Sequence, residues 1–137
     1  MKRREQYKRR LEFIADKIAV LPENFDDNLF MLDALFYRLQ VSIDAVMDVI
    51  AMLNKDLGII VKDDYSNIDE LDKLNIFPDN FLNQIRRLNG LRNVIVHRYN
   101  KIEEDLIIKQ KDSFVDALKE FIKIVEKFIY EKLKLPK

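Results

Sequence analysis

The sequence predicts an all-α protein, an up-and-down helical bundle of four main helices plus a short extra helix. Three observations carry that prediction. Two glycines and three prolines in 137 residues leave little punctuation, which favours long helices over many short strands. Four long stretches repeat apolar residues at the i, i+3, i+4, i+7 spacing of a helix face. The connections between them are of modest length, which makes packing of neighbouring helices into a bundle the default architecture.

The first helix is expected from Tyr7 to Leu21, where Leu11, Ile14, Ala15, Ile18 and Leu21 share a face and Pro22 stops the run. Asp26, Asp27 and Asn28 offer N-caps for the second. That helix, from about Asn28 to Asn54, carries a continuous stripe from Leu32 through Leu39 and Val46 to Leu53. Leu29, Phe30, Val41, Val49 and Met52 widen the stripe, so this helix should meet more than one neighbour. Lys55 to Tyr65, with Gly58 inside it, reads as a loop, and Ile59-Ile60-Val61 as a brief strand at most. Ser66-Asn67-Ile68-Asp69 resembles a capping box opening a short helix to about Leu74. Phe77-Pro78-Asp79 puts proline in the first turn of a helix from about Asp79 to His97, with Gly90 a soft spot or close-packing site. The last helix runs from about Glu103 to Leu133 on Leu106, Phe114, Leu118, Phe121, Val125 and Phe128. Nothing marks an internal boundary, so residues 1–137 form one domain.

Composition narrows the function classes. The 24 basic and 24 acidic residues balance, so any nucleic-acid site must be local. No cysteine is present, which excludes disulfides and thiolate metal sites, and a single histidine excludes a His-rich metal site within one chain. The basic start leads into an amphipathic pattern, and no run approaches the length of a membrane span. A soluble, cytoplasmic protein without metal or cofactor is the expectation.

The chemistry concentrates in Leu91-Arg92-Asn93-Val94-Ile95-Val96-His97-Arg98-Tyr99. Arginine and asparagine inside such an apolar run are costly to bury without partners. On a helical wheel Asn93 and His97 stack on one face, with Arg92 about a quarter-turn from Asn93. Apolar residues spread almost all round this helix, which asks for burial on nearly every side. A second buried surface, a dimer interface beside Arg92, Asn93 and His97, is the economical way to supply it. A histidine suits either proton role, base or acid, near neutrality, and an arginine suits an anion that it can hold bidentately. One chain has one histidine, and two facing chains have two.

Plainer readings stand beside these. Arg92 could pair structurally with Asp44 or Asp48 of the second helix, Asn93 could cap, and His97 could be an ordinary helix-end residue. Tyr99 fits an amphipathic edge. Lys2-Arg3-Arg4 with Lys8-Arg9-Arg10 reads first as a solvated face, as does Arg86-Arg87, whose other reading is an entry to the site.

The pattern Arg-x4-His-x-Tyr, with asparagine directly after the arginine, resembles the signature of the HepT-like toxins of the HEPN superfamily. Phe36 to Ala45 is similar to their second-helix segment, and Leu71 to Phe81 to the approach to their motif helix. The resemblance covers roughly residues 30 to 130; the first 25 residues are less typical, so the basic start inherits no role. It implies a HEPN-like bundle and a metal-independent endoribonuclease, the toxin half of a type VII HEPN/MNT toxin–antitoxin pair. It implies Arg92 and His97 as the catalytic pair, with Asn93 positioning the phosphate or the imidazole, in a homodimer cleft that takes RNA. It implies an MntA-like nucleotidyltransferase antitoxin as partner, and Tyr99 as the hydroxyl that receives AMP and so silences the enzyme. The alternative is a non-catalytic nucleotide-binding or docking subunit of that nucleotidyltransferase.

Overall fold

A computed structural model describes residues 2–23, 28–97, 100–133 and 135. Five helices follow in order: α1 (Arg3–Ala19), α2 (Leu29–Asp56), α3 (Asp64–Asp72), α4 (Phe81–Val96) and α5 (Lys101–Phe128), and a π-helical turn at Ile129–Leu133 closes α5. No strand occurs among the described residues. The four long helices and short α3 are the bundle that the apolar spacing predicts.

Helix α2 is the shared wall. It packs on α1, α3, α4 and α5, while α4 also contacts α3 and α5, and α1 contacts α5. That is why its apolar residues exceed one stripe: Leu35, Leu39, Ile43, Val46, Val49, Ile50 and Leu53 are all buried. Tyr7, Leu11 and Ile14 of α1, Ile85, Leu88 and Ile95 of α4, and Leu118, Phe121 and Val125 of α5 complete one continuous core. Each such side chain contributes about 1.5–3 kcal/mol relative to staying in water.

The ends of the helices show which local signals compete. Asn28 caps α2, its side chain accepting from the Met31 amide at 3.2 Å; Asp26 and Asp27 lie outside the described residues. Helix α2 runs two residues beyond Asn54 and stops at Gly58, whose φ of 80° suits glycine. The Gly58 amide donates to Lys55 O and the Ile59 amide to Asn54 O, so the last carbonyls of the helix are satisfied.

Helix α1 spans Arg3–Ala19 rather than Tyr7 to Leu21, so it stops before Pro22, and α5 starts at Lys101 rather than Glu103; the differences at α3 and α4 have an identifiable local cause. Helix α3 starts at Asp64 because Asp63, not Ser66, is its cap: the Ser66 amide and hydroxyl both donate to the Asp63 carboxylate, at 2.9 and 3.0 Å. It ends at Asp72, two residues short of Leu74. Ser66 therefore lies inside the first turn, and Asn67 turns inward to bond both the amide and the carbonyl of Lys62. Helix α4 starts at Phe81 because Asn80 sits in the left-handed region with φ 72°, which no interior helical residue occupies. Pro78 consequently precedes the helix, its carbonyl accepting from the Phe81 amide at 3.2 Å. Gly90 is no close-packing site, since a Cβ there would meet nothing within 4 Å.

Candidate active site

Residues Arg92, Asn93 and His97 occupy the last turn and C-cap of α4, and the structure brings them into one region without stacking all three on one face. Asn93 and His97 line an open groove between α4 and α5, together with Arg87, Leu91, Val94, Leu106, Ile107 and Phe114. Arg92 lies a quarter-turn away and leans toward α2, where its Nε donates to Asp44 Oδ1 at 2.5 Å. Of the two acids that the sequence offered as partners, Asp44 is the one engaged. The pair is only partly shielded, with side-chain exposures of 32% and 41%, so it orients the guanidinium more than it stabilises the fold.

That orientation has a chemical consequence. An arginine has five donors, and the carboxylate takes only Nε. Nη1 lies 3.5 Å from Asn93 Oδ1, and the outer edge of the guanidinium stays available for a second anion. Asn93 in turn donates from Nδ2 to the Tyr65 hydroxyl at 2.8 Å. Residues from α2, α3 and α4 thus form a chain from Asp44 through Arg92 and Asn93 to Tyr65. Sequence reasoning missed Tyr65. It stands at the end of a stretch that reads as loop, and no spacing rule points from there to α4.

His97 is exposed and ends α4, its amide donating to Asn93 O at 3.1 Å. Asn100 then opens α5, accepting from the Glu103 amide at 2.9 Å. Tyr99, the expected AMP acceptor, lies outside the described residues.

Nearby charges are mostly spoken for. Burial pushes the Asp48 carboxyl above the usual range; Asp44 and Asp64 push the same way, and Arg10 opposes them. Arg86 bridges Asp69 and Asp72 at 2.7 and 3.0 Å. At the N-terminus Arg3 holds Asp56, which also accepts from the buried Tyr7 hydroxyl, and Arg4 lies over the Tyr130 ring. The basic start is thus partly spent on internal contacts. Among the described residues no group of three or more His, Cys, Asp or Glu is placed to hold a metal ion, and no helix is long and apolar enough to cross a membrane.

Comparison with known proteins identifies the family. Residues 5–125 match the model of a family described as "Ribonuclease HepT-like". Two proteins of Archaeoglobus fulgidus, each named "Putative RNase", are 38% identical over 124 residues and 32% identical over 128. The first alignment covers 90% of this chain and 93% of the relative, and the second 91% and 97%. A Methanocaldococcus jannaschii protein of similar name is 47% identical over 70 residues, half of this chain and 80% of its own. Among solved structures, a tri-AMPylated Shewanella oneidensis HEPN toxin in complex with MNT antitoxin superposes with a TM-score of 0.66. At 20% identity, over 88% of this chain and 91% of that one, that likeness speaks for the fold alone. The family match over residues 5–125 and two relatives more than 30% identical over nine-tenths of the chain lead to one conclusion: this chain belongs to the HepT-like ribonuclease family.

Proposed function

We propose that the protein is the metal-independent endoribonuclease toxin of a HEPN/MNT pair, cutting RNA in a cleft between two copies of the chain. The observation that carries the reading is the final turn of α4. There His97 and Asn93 share a groove while Arg92, oriented by Asp44, keeps its outer edge for a phosphate. In the proposed reaction one imidazole takes the 2′-hydroxyl proton as O2′ bonds to phosphorus, and a second donates a proton to O5′ as the P–O5′ bond breaks. The products are a 2′,3′-cyclic phosphate and a 5′-hydroxyl. Arg92 stabilises the extra negative charge between them.

Two imidazoles require two chains. Val94, which lines the groove, is 42% exposed, and Leu106 across it on α5 is 53% exposed. A second copy covering this face would bury apolar surface and bring its own His97 near the first. The partner is an MNT-type nucleotidyltransferase, by analogy with the Shewanella complex, and the motif resemblance makes Tyr99 the hydroxyl that it would modify. An AMP group on Tyr99, seven residues after Arg92 in the sequence, would add a phosphate that competes with RNA for the cations of the site.

The test is cleavage of a mixed RNA pool in excess EDTA by protein whose intact mass shows no added AMP. Wild type is expected to leave cyclic phosphate ends, and His97→Ala and Arg92→Ala to lose at least about 10²-fold in rate. A folded, unmodified protein that cuts no RNA would overturn the reading in favour of a docking or nucleotide-binding subunit.

A further inference from the structure

The sequence presents Arg86 and Arg87 as a matched pair, and the structure separates them. Arg86 is neutralised by Asp69 and Asp72 on α3. Arg87 points the other way, into the groove that Asn93 and His97 line. There it is fixed without a carboxylate: its Nη2 donates to Ser113 Oγ at 2.7 Å, its Nη1 to Gln84 Oε1 at 3.2 Å, and its plane lies 4.4 Å from the Phe114 ring centroid. Two donors and one face are thereby used. Its other N–H groups make no hydrogen bond, and no carboxylate lies within ion-pair distance of it, among the described residues.

Such an arrangement is expensive to build for stability alone. Holding a long arginine in one rotamer costs conformational entropy, and neutral partners repay it less than a carboxylate does. It is well suited to an arriving anion, because a pre-positioned guanidinium loses little further freedom on binding. Ten residue steps lead from Arg87 on α4 to His97 at its C-cap, roughly 15 Å along the helix axis. That span is a few nucleotides of extended RNA. The groove also contains Glu103, whose carboxylate accepts from Asn100 Nδ2 at 3.3 Å and keeps its negative charge, so Arg87 is the cation that offsets it there.

We propose that Arg87 is an RNA-backbone subsite, holding a phosphate a few nucleotides from the scissile bond so that the strand lies along the α4–α5 groove. The inference rests on the ribonuclease reading and adds the path of the substrate to it. It also accounts for how a chain of zero net charge takes a polyanion.

The experiment uses an eight-nucleotide single-stranded RNA in two assays. Cleavage kinetics in EDTA compare wild type, Arg87→Ala and Arg87→Lys. Equilibrium binding at graded KCl makes the same two changes in a His97→Ala background, which does not cut the probe. Arg87→Ala is expected to raise KM about tenfold with kcat within twofold. It should also reduce the slope of log affinity against log salt by about one, while Arg87→Lys restores the slope. Sedimentation and melting temperature are expected to match wild type in both variants. Unchanged KM and salt slope in Arg87→Ala would overturn the subsite while leaving the ribonuclease intact. Loss of the wild-type assembly or of kcat would overturn it too, since Arg87 would then be structural or act in the chemistry. A wild type that neither cuts nor binds the RNA would overturn the ribonuclease reading first.

Discussion

Replacing Asp44 separates what holds the fold from what prepares the site. The carboxylate contacts Arg92 Nε at 2.5 Å, but both side chains are about a third or more exposed. A pair so placed contributes less than about 1 kcal/mol to stability, so Asp44→Ala should lower the melting temperature by only a few degrees. Its effect on catalysis should be larger. Without Asp44 the guanidinium is free to rotate out of register with the phosphate, and every productive encounter must pay for its ordering. Restoring that order is worth about 1.4–2.7 kcal/mol, a tenfold to hundredfold fall in kcat. KM should fall or hold, because a carboxylate no longer competes with the phosphate for Arg92. Asp44→Asn retains an oxygen for Nε and should recover most of kcat. Steady-state cleavage of a defined RNA, with melting curves on the same samples, measures all of this. A full kcat in Asp44→Ala, or an Asp44→Asn variant no better than Asp44→Ala, would refute the claim that Asp44 works by orienting Arg92.

Further predictions follow from the fold. Gly90 lies in the interior of α4 with open space at its Cβ position, so Gly90→Ala should stabilise the protein by about 0.5–1 kcal/mol in denaturant titration. Tyr7→Phe removes a buried hydroxyl that donates to the Asp56 carboxylate at 2.5 Å; chemical denaturation should show a loss of about 1.5–3 kcal/mol. Asn100→Ala deletes the cap of α5 next to His97 and should cost about 1 kcal/mol, read in the same way. Asp63 is held below its ordinary carboxylate range, first by the Ser66 amide and then by the Ser66 hydroxyl. Its contribution is therefore complete above that ordinary value and is lost as pH falls beneath it, so acid should loosen α3 in wild type more than in Asp63→Ala. Hydrogen exchange of the α3 amides between pH 3 and 5 checks the sign.

The amino-acid sequence by itself determined the fold class and singled out one stretch as the candidate site. A 3.6-residue apolar period over four long stretches can be buried only by helices packed together, and that period is written in the residue types alone. The breadth of the α2 stripe was legible for the same reason at Val49 and Met52, which are buried, whereas Leu29 and Phe30 in the first turn are exposed and lie outside the core. Arg92, Asn93 and His97 were visible because polar residues in an apolar run need a reason to be there. Helix starts were less legible. Asp63 and Ser66 are both good caps, and Asp63 prevails because Ser66 donates to it twice while Asn67 is drawn into the Lys62 backbone. What only tertiary structure decided is the company each site residue keeps. Arg92 chose Asp44 over Asp48, 48 residues away in the chain, and Asn93 met Tyr65 across 28. The adjacent Arg86 and Arg87 parted to opposite sides of α4, one into a pair of carboxylates and one into the groove. Such choices depend on how the helices sit against one another, a distance that sequence periodicity does not encode.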